Sequence, residues 1–158
     1  MTQESFVQRL HASCAARNGK GVLLLGPSGA GKSDLLLRLV RRGYALIADD
    51  RVLLEEGRVR CPERLQGLME VRGLGIVRMA FETEADAVLA IRLLAPNQAF
   101  PRLPDAEARD AETGLPVLYL DPRMASAPDR VDIALDCLEL RAFLIPQGDM
   151  PAADNSGQ

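Results

Sequence analysis

The chain has few of the patterns that mark disulfide-linked, zinc-binding or membrane-spanning proteins. Its three cysteines are odd in number and widely spaced, and they form no Cys-x-x-Cys pair. This pattern argues against a disulfide framework and against a zinc site. No apolar run approaches the length of a membrane span, and Arg9 and His11 interrupt any signal-like segment near the N-terminus. We therefore expect a cytoplasmic protein with buried free thiols.

The chain also lacks a basic excess. A net charge of −3 argues against a nucleic-acid-binding protein, which usually carries a basic face. We find no internal repeat. A length of 158 residues with 47% hydrophobic content suits one globular domain with a real core. We expect this domain over residues 1–145, followed by a disordered tail over 146–158, where no periodic apolar face is present.

One octet carries most of the functional information. It fills the pattern Gly-x-x-x-x-Gly-Lys-Ser/Thr with Gly26, Pro27, Ser28, Gly29, Ala30, Gly31, Lys32 and Ser33. An apolar run over 21–25 precedes it and a helical pattern over 33–43 follows it, which is the context of a phosphate-binding loop rather than of a simple glycine turn. In such a loop Lys32 reaches the terminal phosphates and the Ser33 hydroxyl binds Mg²⁺. The sequence therefore predicts a nucleoside triphosphate site.

Strand and helix patterns alternate along the chain. We predict a hairpin at Asn18-Gly19 joining 10–16 to 21–25 and a second at Glu56-Gly57 joining 52–55 to 58–61. Further strands are predicted over 45–48, 87–94 and 116–120, although 87–94 is also compatible with a helix. Residues 96–115 have the composition of a mobile connection or flap. A last helix is predicted from a Ser126 cap to about Phe143.

The first hairpin makes a prediction about His11, the only histidine. If Asn18 and Gly19 form the two-residue turn, Arg17 pairs with Lys20, and the same register places His11 opposite Gly26. There the imidazole could donate to phosphate oxygens or adjust a nearby carboxylate. A partly solvated strand histidine without a role is the alternative.

Asp49 and Asp50 follow the 45–48 strand directly. A crossover through the helix after the phosphate loop would place that strand in the same sheet, and ligands of open α/β sheets bind at the carboxyl ends of the strands. Adjacent residues point to different sides, so one aspartate can face Mg²⁺ while the other accepts a proton from an attacking hydroxyl. A simple polar turn is the alternative.

Three further charged residues are weaker candidates. Glu70 and Arg72 alternate ahead of a Gly-Leu-Gly bend, where Glu70 could bind a metal ion and Arg72 a phosphate. A strand that ends in a glycine bend explains the same spacing. Arg102, in Phe-Pro-Arg-Leu, has the default interpretation of an exposed loop arginine.

Together these segments resemble the HPr kinase/phosphorylases. The likeness rests on Leu10-His11-Ala12, the octet, Ala48-Asp49-Asp50-Arg51-Val52 and the run Glu-Val-Arg-Gly-Leu-Gly-Ile over 70–76, in that order. It covers residues 8 to 80 well. The family fold is a P-loop α/β core related to phosphoenolpyruvate carboxykinase, a mixed sheet with flanking helices, usually assembled as a hexamer.

The resemblance implies a kinase that uses ATP and Mg²⁺ to phosphorylate a serine of HPr, or of its nitrogen-branch counterpart, in the phosphotransferase system. Inorganic phosphate reverses the reaction and forms pyrophosphate. By position, His11 matches the active-site histidine, Lys32 the loop lysine, and Ser33 and Glu70 metal ligands. Arg72 lies in the catalytic signature, and Arg102 matches a catalytic arginine. The general base falls within Asp49-Asp50, with Asp50 favoured.

The sequence departs from the family pattern at three places. The phosphate loop begins at residue 26, which implies a short form without an N-terminal domain, as in alphaproteobacteria. The Pro-Val-x-x-Gly-Arg-Asn stretch tied to the reverse reaction is replaced over 121–130 by a segment without glycine. The C-terminal helix that reaches a neighbouring subunit is shortened. A homo-oligomer is still expected.

Three other functions compete with this interpretation. A GTPase would need Asn-Lys-x-Asp, which the chain does not contain. A small-metabolite kinase would use residues 96–115 as a lid. A non-catalytic sensor of the phosphotransferase system would bind ATP without turnover. The intact phosphate loop and the paired aspartates favour a working kinase.

Overall fold

A computed structural model describes residues 6–99 and 107–139. In that part of the chain eight strands form one mixed sheet and two form a separate hairpin. The large sheet contains β1 (Gln8–Leu10), β2 (Ala12–Arg17), β3 (Lys20–Leu25), β4 (Ala45–Ala48), β5 (Val52–Glu55), β6 (Arg58–Arg60), β9 (Glu84–Leu93) and β10 (Val117–Leu120). The hairpin consists of β7 (Leu68–Val71) and β8 (Gly75–Arg78), and the helices are α1 (Lys32–Arg41) and α2 (Ala127–Leu138).

The β2–β3 hairpin has the predicted register. Arg17 pairs with Lys20 and Ala12 with Leu25. Asn18 and Gly19 have φ angles of 52° and 76°, as a tight two-residue turn between twisted strands requires. Glu56 and Gly57 repeat this geometry between β5 and β6. Both hairpin predictions are confirmed.

Helix α1 crosses over between two parallel strands. β4 pairs antiparallel with β2, and β2 pairs antiparallel with β3, so β4 runs parallel to β3 with β2 between them. The helix stops because Gly43 has a φ of 107°, and the Tyr44 N–H then donates to Leu39 O at 3.1 Å. This Schellman-type end turns the chain back toward the sheet. The crossover therefore brings the end of β4 to the same edge as the end of β3.

Strand β9 is the longest and lies beside β3. It begins at Glu84 rather than at the predicted residue 87, and the helical alternative for 87–94 is wrong. Its first residues pair with β6, its last residues pair in parallel with β10, and its other edge pairs in parallel with β3. The strand that leads into the phosphate loop is therefore central in the sheet.

Two apolar layers hold the sheet. Val22 and Leu24 of β3 join one layer with α1 and α2, which includes Leu36 and Val131. Leu23 and Leu25 alternate into the other layer, together with residues of β1, β5 and β6. β2 contacts β5 although three strands separate them in the sheet order, so the sheet curls around this second layer. Both described helices therefore pack on one side.

Helix α2 begins where the sequence predicted. It runs to Leu138, with Glu139 as its C-cap, and the rest of the predicted helix, over 140–143, lies outside the described residues. Ser126 is the N-cap residue, but its side chain makes no capping bond to the helix backbone. Its Oγ instead accepts from Arg130 Nε at 3.0 Å, which competes with capping. Ser126 therefore lies at the predicted N-cap position, but its side chain does not cap the helix as predicted.

Residues 107–115 are fastened to the sheet. Asp110 is 5% exposed and pairs with Arg92 of β9, and Arg109 bridges to Pro116. The prediction of a mobile flap over 96–115 is therefore wrong for this second half. The predicted tail over 146–158 lies outside the described residues.

Candidate nucleotide and phosphotransfer site

The glycine loop joins β3 to α1 as the motif predicts. Gly31 has a φ of 103°, which favours glycine, and a Cβ there would make a tight contact of 3.1 Å with Pro122 Cγ. The residue supplies no side-chain cap to α1. The first N–H groups of a helix have no partners within the helix, and they give this end of α1 the donors and the partial positive charge that suit phosphate.

Lys32 is held over the loop. Its side chain is almost fully buried, and Nζ donates to Gly26 O at 2.6 Å and to Pro27 O at 3.0 Å. A buried ammonium group needs such acceptors. The contacts keep the positive charge above the loop, where phosphate oxygens would lie in a nucleotide-binding loop.

Asp49 connects the loop to three other elements. Its Oδ1 accepts from Ser33 Oγ at 2.7 Å and from Ser13 Oγ at 3.1 Å, while Oδ2 accepts from Glu70 N at 2.9 Å. The crossover through α1 is what brings the end of β4 to the first turn of the helix. A hydroxyl and a carboxylate side by side are hard oxygen donors, which Mg²⁺ prefers.

This donor set fits a magnesium ion that is shared with a nucleotide. Within 6–99 and 107–139, no three His, Cys, Asp or Glu side chains form a group able to hold a metal ion. Mg²⁺ is usually bound by one or two protein groups together with substrate phosphates rather than by a full protein cage. Ser33 and Asp49 match that arrangement. Glu70 reaches Asp49 through its backbone N–H, and its side chain is exposed.

Asp50 differs from Asp49 in both backbone and exposure. It has a φ of 66°, in the left-handed region that aspartate tolerates better than most residues. Its N–H donates to Ser13 Oγ at 3.1 Å, and the residue is exposed. The two carboxylates therefore have separate environments, one enclosed by donors and one open to an incoming group.

Ser13 is one of the residues of the site that the sequence did not indicate. It lies on β2 with no exposed surface, donates to Asp49 Oδ1 and accepts from the Asp50 N–H. One hydroxyl thus fixes both members of the pair. A polar residue in the middle of an otherwise apolar buried strand was the available signal, since a buried hydroxyl needs partners.

His11 lies beside the phosphate loop. The β2–β3 pairing ends at Ala12 and Leu25, one residue short of His11. A cavity of about 280 Å³ is lined by His11, Gly26 and Pro27 together with Arg9, Leu10, Leu25, Arg92 and Glu112. The predicted proximity of His11 to Gly26 is confirmed, and its chemical role stays a prediction.

Arg92 also lines this cavity, and the sequence did not indicate it. Its Nε donates to Asp110 Oδ1 at 2.6 Å, and Asp110 Oδ2 accepts from Thr113 N and Thr113 Oγ1. Burial alone would raise the pKa of the Asp110 carboxyl, but the bonds from Arg92 and Thr113 outweigh it and hold that pKa below its ordinary value. The guanidinium is therefore fixed in place, because one of its partners is buried.

The remaining predicted residues lie on the β7–β8 hairpin or beyond it. Arg72 is exposed just after β7, and the hairpin also exposes Leu74 and Ile76, at 80% and 75%. The backbone of Glu70 connects the hairpin to Asp49, but no described contact joins Arg72 to the loop. Arg102 lies outside the described residues.

The segment after β10 supports the phosphate loop. Arg38 of α1 donates to Pro122 O at 2.6 Å, to Met124 O at 2.9 Å and to Ala125 O at 3.2 Å. Pro122 also lies against Gly31. In this segment the sequence departs from the family pattern described above. In the structure the segment contacts both the start and the middle of α1.

Neither described helix is long and apolar enough to cross a membrane.

Comparison with known proteins gives one consistent family. Residues 3–102 match the model of the HPr serine kinase C-terminal domain. The chain is 40% identical over 115 residues to the HPr kinase/phosphorylase of Bordetella pertussis, covering 63% of this chain and 37% of that protein. It is 41% identical over 123 residues to that of Burkholderia cenocepacia, covering 68% of this chain and 38% of that protein. The chain thus spans well under half the length of these relatives.

A solved structure has a similar fold. The HPr(Ser) kinase/phosphatase from Coxiella burnetii superposes with a TM-score of 0.68 at 23% identity, over 85% of this chain and 92% of that one. At this identity the likeness concerns the fold. The sequence match covers the phosphate loop, both aspartates and the β7–β8 hairpin, and the chain belongs to the family of the HPr serine kinase C-terminal domain.

Proposed function

We propose that the protein transfers the γ-phosphoryl group of ATP to a serine hydroxyl of an HPr-type phosphocarrier protein. The observation that carries this proposal is the contact of Asp49 with Ser33 beside a phosphate loop whose lysine is buried above it. Family membership supports the class of acceptor. The nitrogen-branch counterpart of HPr is an acceptor of the same class.

The nucleotide is bound by groups already in position. The N–H groups at the start of α1 and the Lys32 ammonium bind the β- and γ-phosphates. Ser33 and Asp49 would hold Mg²⁺, and Glu70, whose backbone contacts Asp49, would supply a second carboxylate. When bound, the ion neutralises charge that develops on the phosphate oxygens. His11 and Arg92, which line the adjoining cavity, contribute donors toward the phosphates.

Asp50 is the general base of the proposed transfer. Its carboxylate accepts the proton of the serine hydroxyl as the hydroxyl oxygen bonds to the γ-phosphorus and the bond to the bridging oxygen of ADP breaks. Asp50 suits this role because it is exposed, whereas the Asp49 carboxylate is enclosed by Ser33, Ser13 and Glu70. Arg72 and Arg102 are proposed to contact phosphate or acceptor at the open side.

The reverse reaction depends on the segment after β10. In the family pattern this stretch is tied to attack by inorganic phosphate, with pyrophosphate as a product. Here it carries no glycine, and its carbonyls bind Arg38. We propose that forward transfer dominates, and that the protein assembles as a homo-oligomer.

The test is intact-mass analysis of purified HPr-type acceptors incubated with this protein, ATP and Mg²⁺. A single added phosphate on a serine, absent with Lys32→Ala, is the expected result. Inorganic phosphate added to the product then measures the reverse step. ATP binding without any mass shift would contradict the proposal, and would favour a small-metabolite kinase or a nucleotide-gated sensor.

A further inference from the structure

A larger groove adjoins the phosphate-loop cavity. It has a volume of about 750 Å³ and shares Arg9, Leu10 and His11 with the smaller cavity. Its other walls come from the chain around the start of β5 and from a 3₁₀ turn over Glu63–Leu65. Neither the phosphate loop nor Asp49 and Asp50 line this groove, which begins at the next residue, Arg51. The groove therefore extends the site beyond the phosphate loop.

The groove gathers three arginines for which no ion pair is found among residues 6–99 and 107–139. Arg9, Arg51 and Arg64 line it and are exposed. By contrast, Arg17, Arg42, Arg58 and Arg92 are each paired with carboxylates. Glu63 is the acidic residue of the lining. A chain with a net charge of −3 thus places a positive groove next to its active site.

The floor of the groove is apolar. Leu10 and Val52 are buried beneath it, and Leu53 and Leu65 are partly exposed along it. An apolar floor with a cationic rim suits an extended peptide that carries acidic side chains, because the backbone and aliphatic groups pack below while carboxylates reach the arginines.

We propose that this groove binds an acidic segment of the acceptor protein next to the serine that is phosphorylated. The proposal rests on the proposed function for the identity of the reaction. Arg51 directly follows Asp50, and neighbouring Cα atoms lie about 3.8 Å apart. A carboxylate bound by Arg51 therefore brings a serine nearby in the same segment to the proposed base, while Arg9 and Arg64 bind charges farther along.

A binding experiment tests the groove without requiring catalysis. The probe is a fluorescein-labelled synthetic peptide with one serine flanked by glutamates, followed by anisotropy at low and moderate salt. The groove variant is Arg9→Glu/Arg64→Glu. The matched control is Arg41→Glu/Arg130→Glu, which changes the charge equally at exposed sites on α1 and α2. Binding of a fluorescent ATP analogue confirms that each variant is folded.

We expect the groove variant to bind the peptide at least about tenfold more weakly than the control, with a smaller dependence on salt. Equal peptide affinity in the two variants would overturn the proposal. The proposal would also be overturned if the wild-type protein did not bind the peptide at low salt, or if these arginines bound pyrophosphate and not the peptide.

Kinetics separate this proposal from the kinase proposal. These kinetics use an acceptor that the wild-type protein phosphorylates. For it, the groove variant should have a KM about tenfold higher and a kcat within about twofold of wild type, because the arginines bind the acceptor and do not react. A fall in kcat with unchanged KM would overturn the docking role. If no acceptor is phosphorylated by any form of the protein, the kinase proposal fails, and the peptide measurement still decides the groove.

Discussion

Asp49 and Asp50 are neighbours in sequence but have different surroundings. Asp49 accepts three hydrogen bonds, and Asp50 is exposed with a left-handed backbone. We expect Asp50→Asn to lower kcat by about 10²- to 10⁴-fold, the usual contribution of a general base, with MgATP affinity nearly unchanged. Asp49→Asn should instead weaken Mg²⁺-dependent nucleotide binding. Initial rates and calorimetric titrations measure the two effects.

Glu82→Gln is a suitable control for this pair, because Glu82 is exposed and its N–H binds Leu46 O, away from the loop. Full transfer activity in Asp50→Asn would assign the base to Asp49.

Ser13 fixes both aspartates through one buried hydroxyl. Ser13→Ala leaves the Asp50 N–H and one Asp49 contact without a partner. We expect the free energy of unfolding to fall by about 1–3 kcal/mol, the usual cost of an unsatisfied buried group, together with a lower kcat. Urea unfolding of Ser13→Ala and of the wild-type protein measures the change in the free energy of unfolding. An unchanged urea midpoint together with an unchanged kcat would show that the Ser13 hydroxyl does not position the two aspartates.

The three thiols should differ in reactivity. Burial raises the pKa of Cys61 to about 11 and that of Cys14 well above its ordinary value, and both are buried, whereas Cys137 is partly exposed. Because the thiolate is the reacting form, we expect one fast-reacting thiol, that of Cys137, when a disulfide reagent is added at neutral pH. Cys137→Ser should remove that fast phase; a fast phase that persists would contradict this order.

At the scale of elements, the loop over 107–115 depends on the Arg92–Asp110 pair. Asp110→Asn should destabilise the fold by about 1–3 kcal/mol, because it removes the charge of a buried carboxylate that accepts hydrogen bonds from Arg92 and Thr113. The pKa of Asp110 is lowered in the folded state, so the stabilisation is present above the unfolded pKa of about 4 and is lost as the pH falls through the folded pKa.

Unfolding by urea at pH 7 and at pH 3 checks this sign. The difference between wild type and Asp110→Asn should shrink at pH 3. A difference that is constant with pH would mean that the carboxylate charge contributes nothing.

The sequence predicted the elements whose signals are local. The two hairpins follow from Asn18-Gly19 and Glu56-Gly57, and the crossover follows from the phosphate-loop pattern with its helix. The attachment of 107–115 was not predictable, because it depends on Asp110 meeting Arg92 of a distant strand. The Ser13 contacts and the groove arginines were missed for the same reason, since they are brought together by β-pairing and not by spacing.

At the scale of the whole molecule, ligand binding should appear as thermal stabilisation. A ligand at about 100 times its Kd adds about 2.7 kcal/mol to the free energy of unfolding, which raises Tm by roughly 5–10 °C for a chain of this size. We expect this rise with ATP and Mg²⁺, a smaller one with ATP and EDTA, and almost none for Lys32→Ala. An equal rise in Lys32→Ala would contradict the assigned nucleotide site.

The pairing of β3 with β9 has a consequence for the order of folding. The β2–β3 hairpin and α1 form from contiguous sequence, but Leu25 at the entrance of the phosphate loop pairs with Arg92, far along the chain. Closing such a distance costs chain entropy and is slow compared with hairpin formation. During synthesis the nucleotide motif is therefore complete long before the strand that supports it exists. A nascent chain that stops before β9 would contain every residue of the octet and still have no stable site.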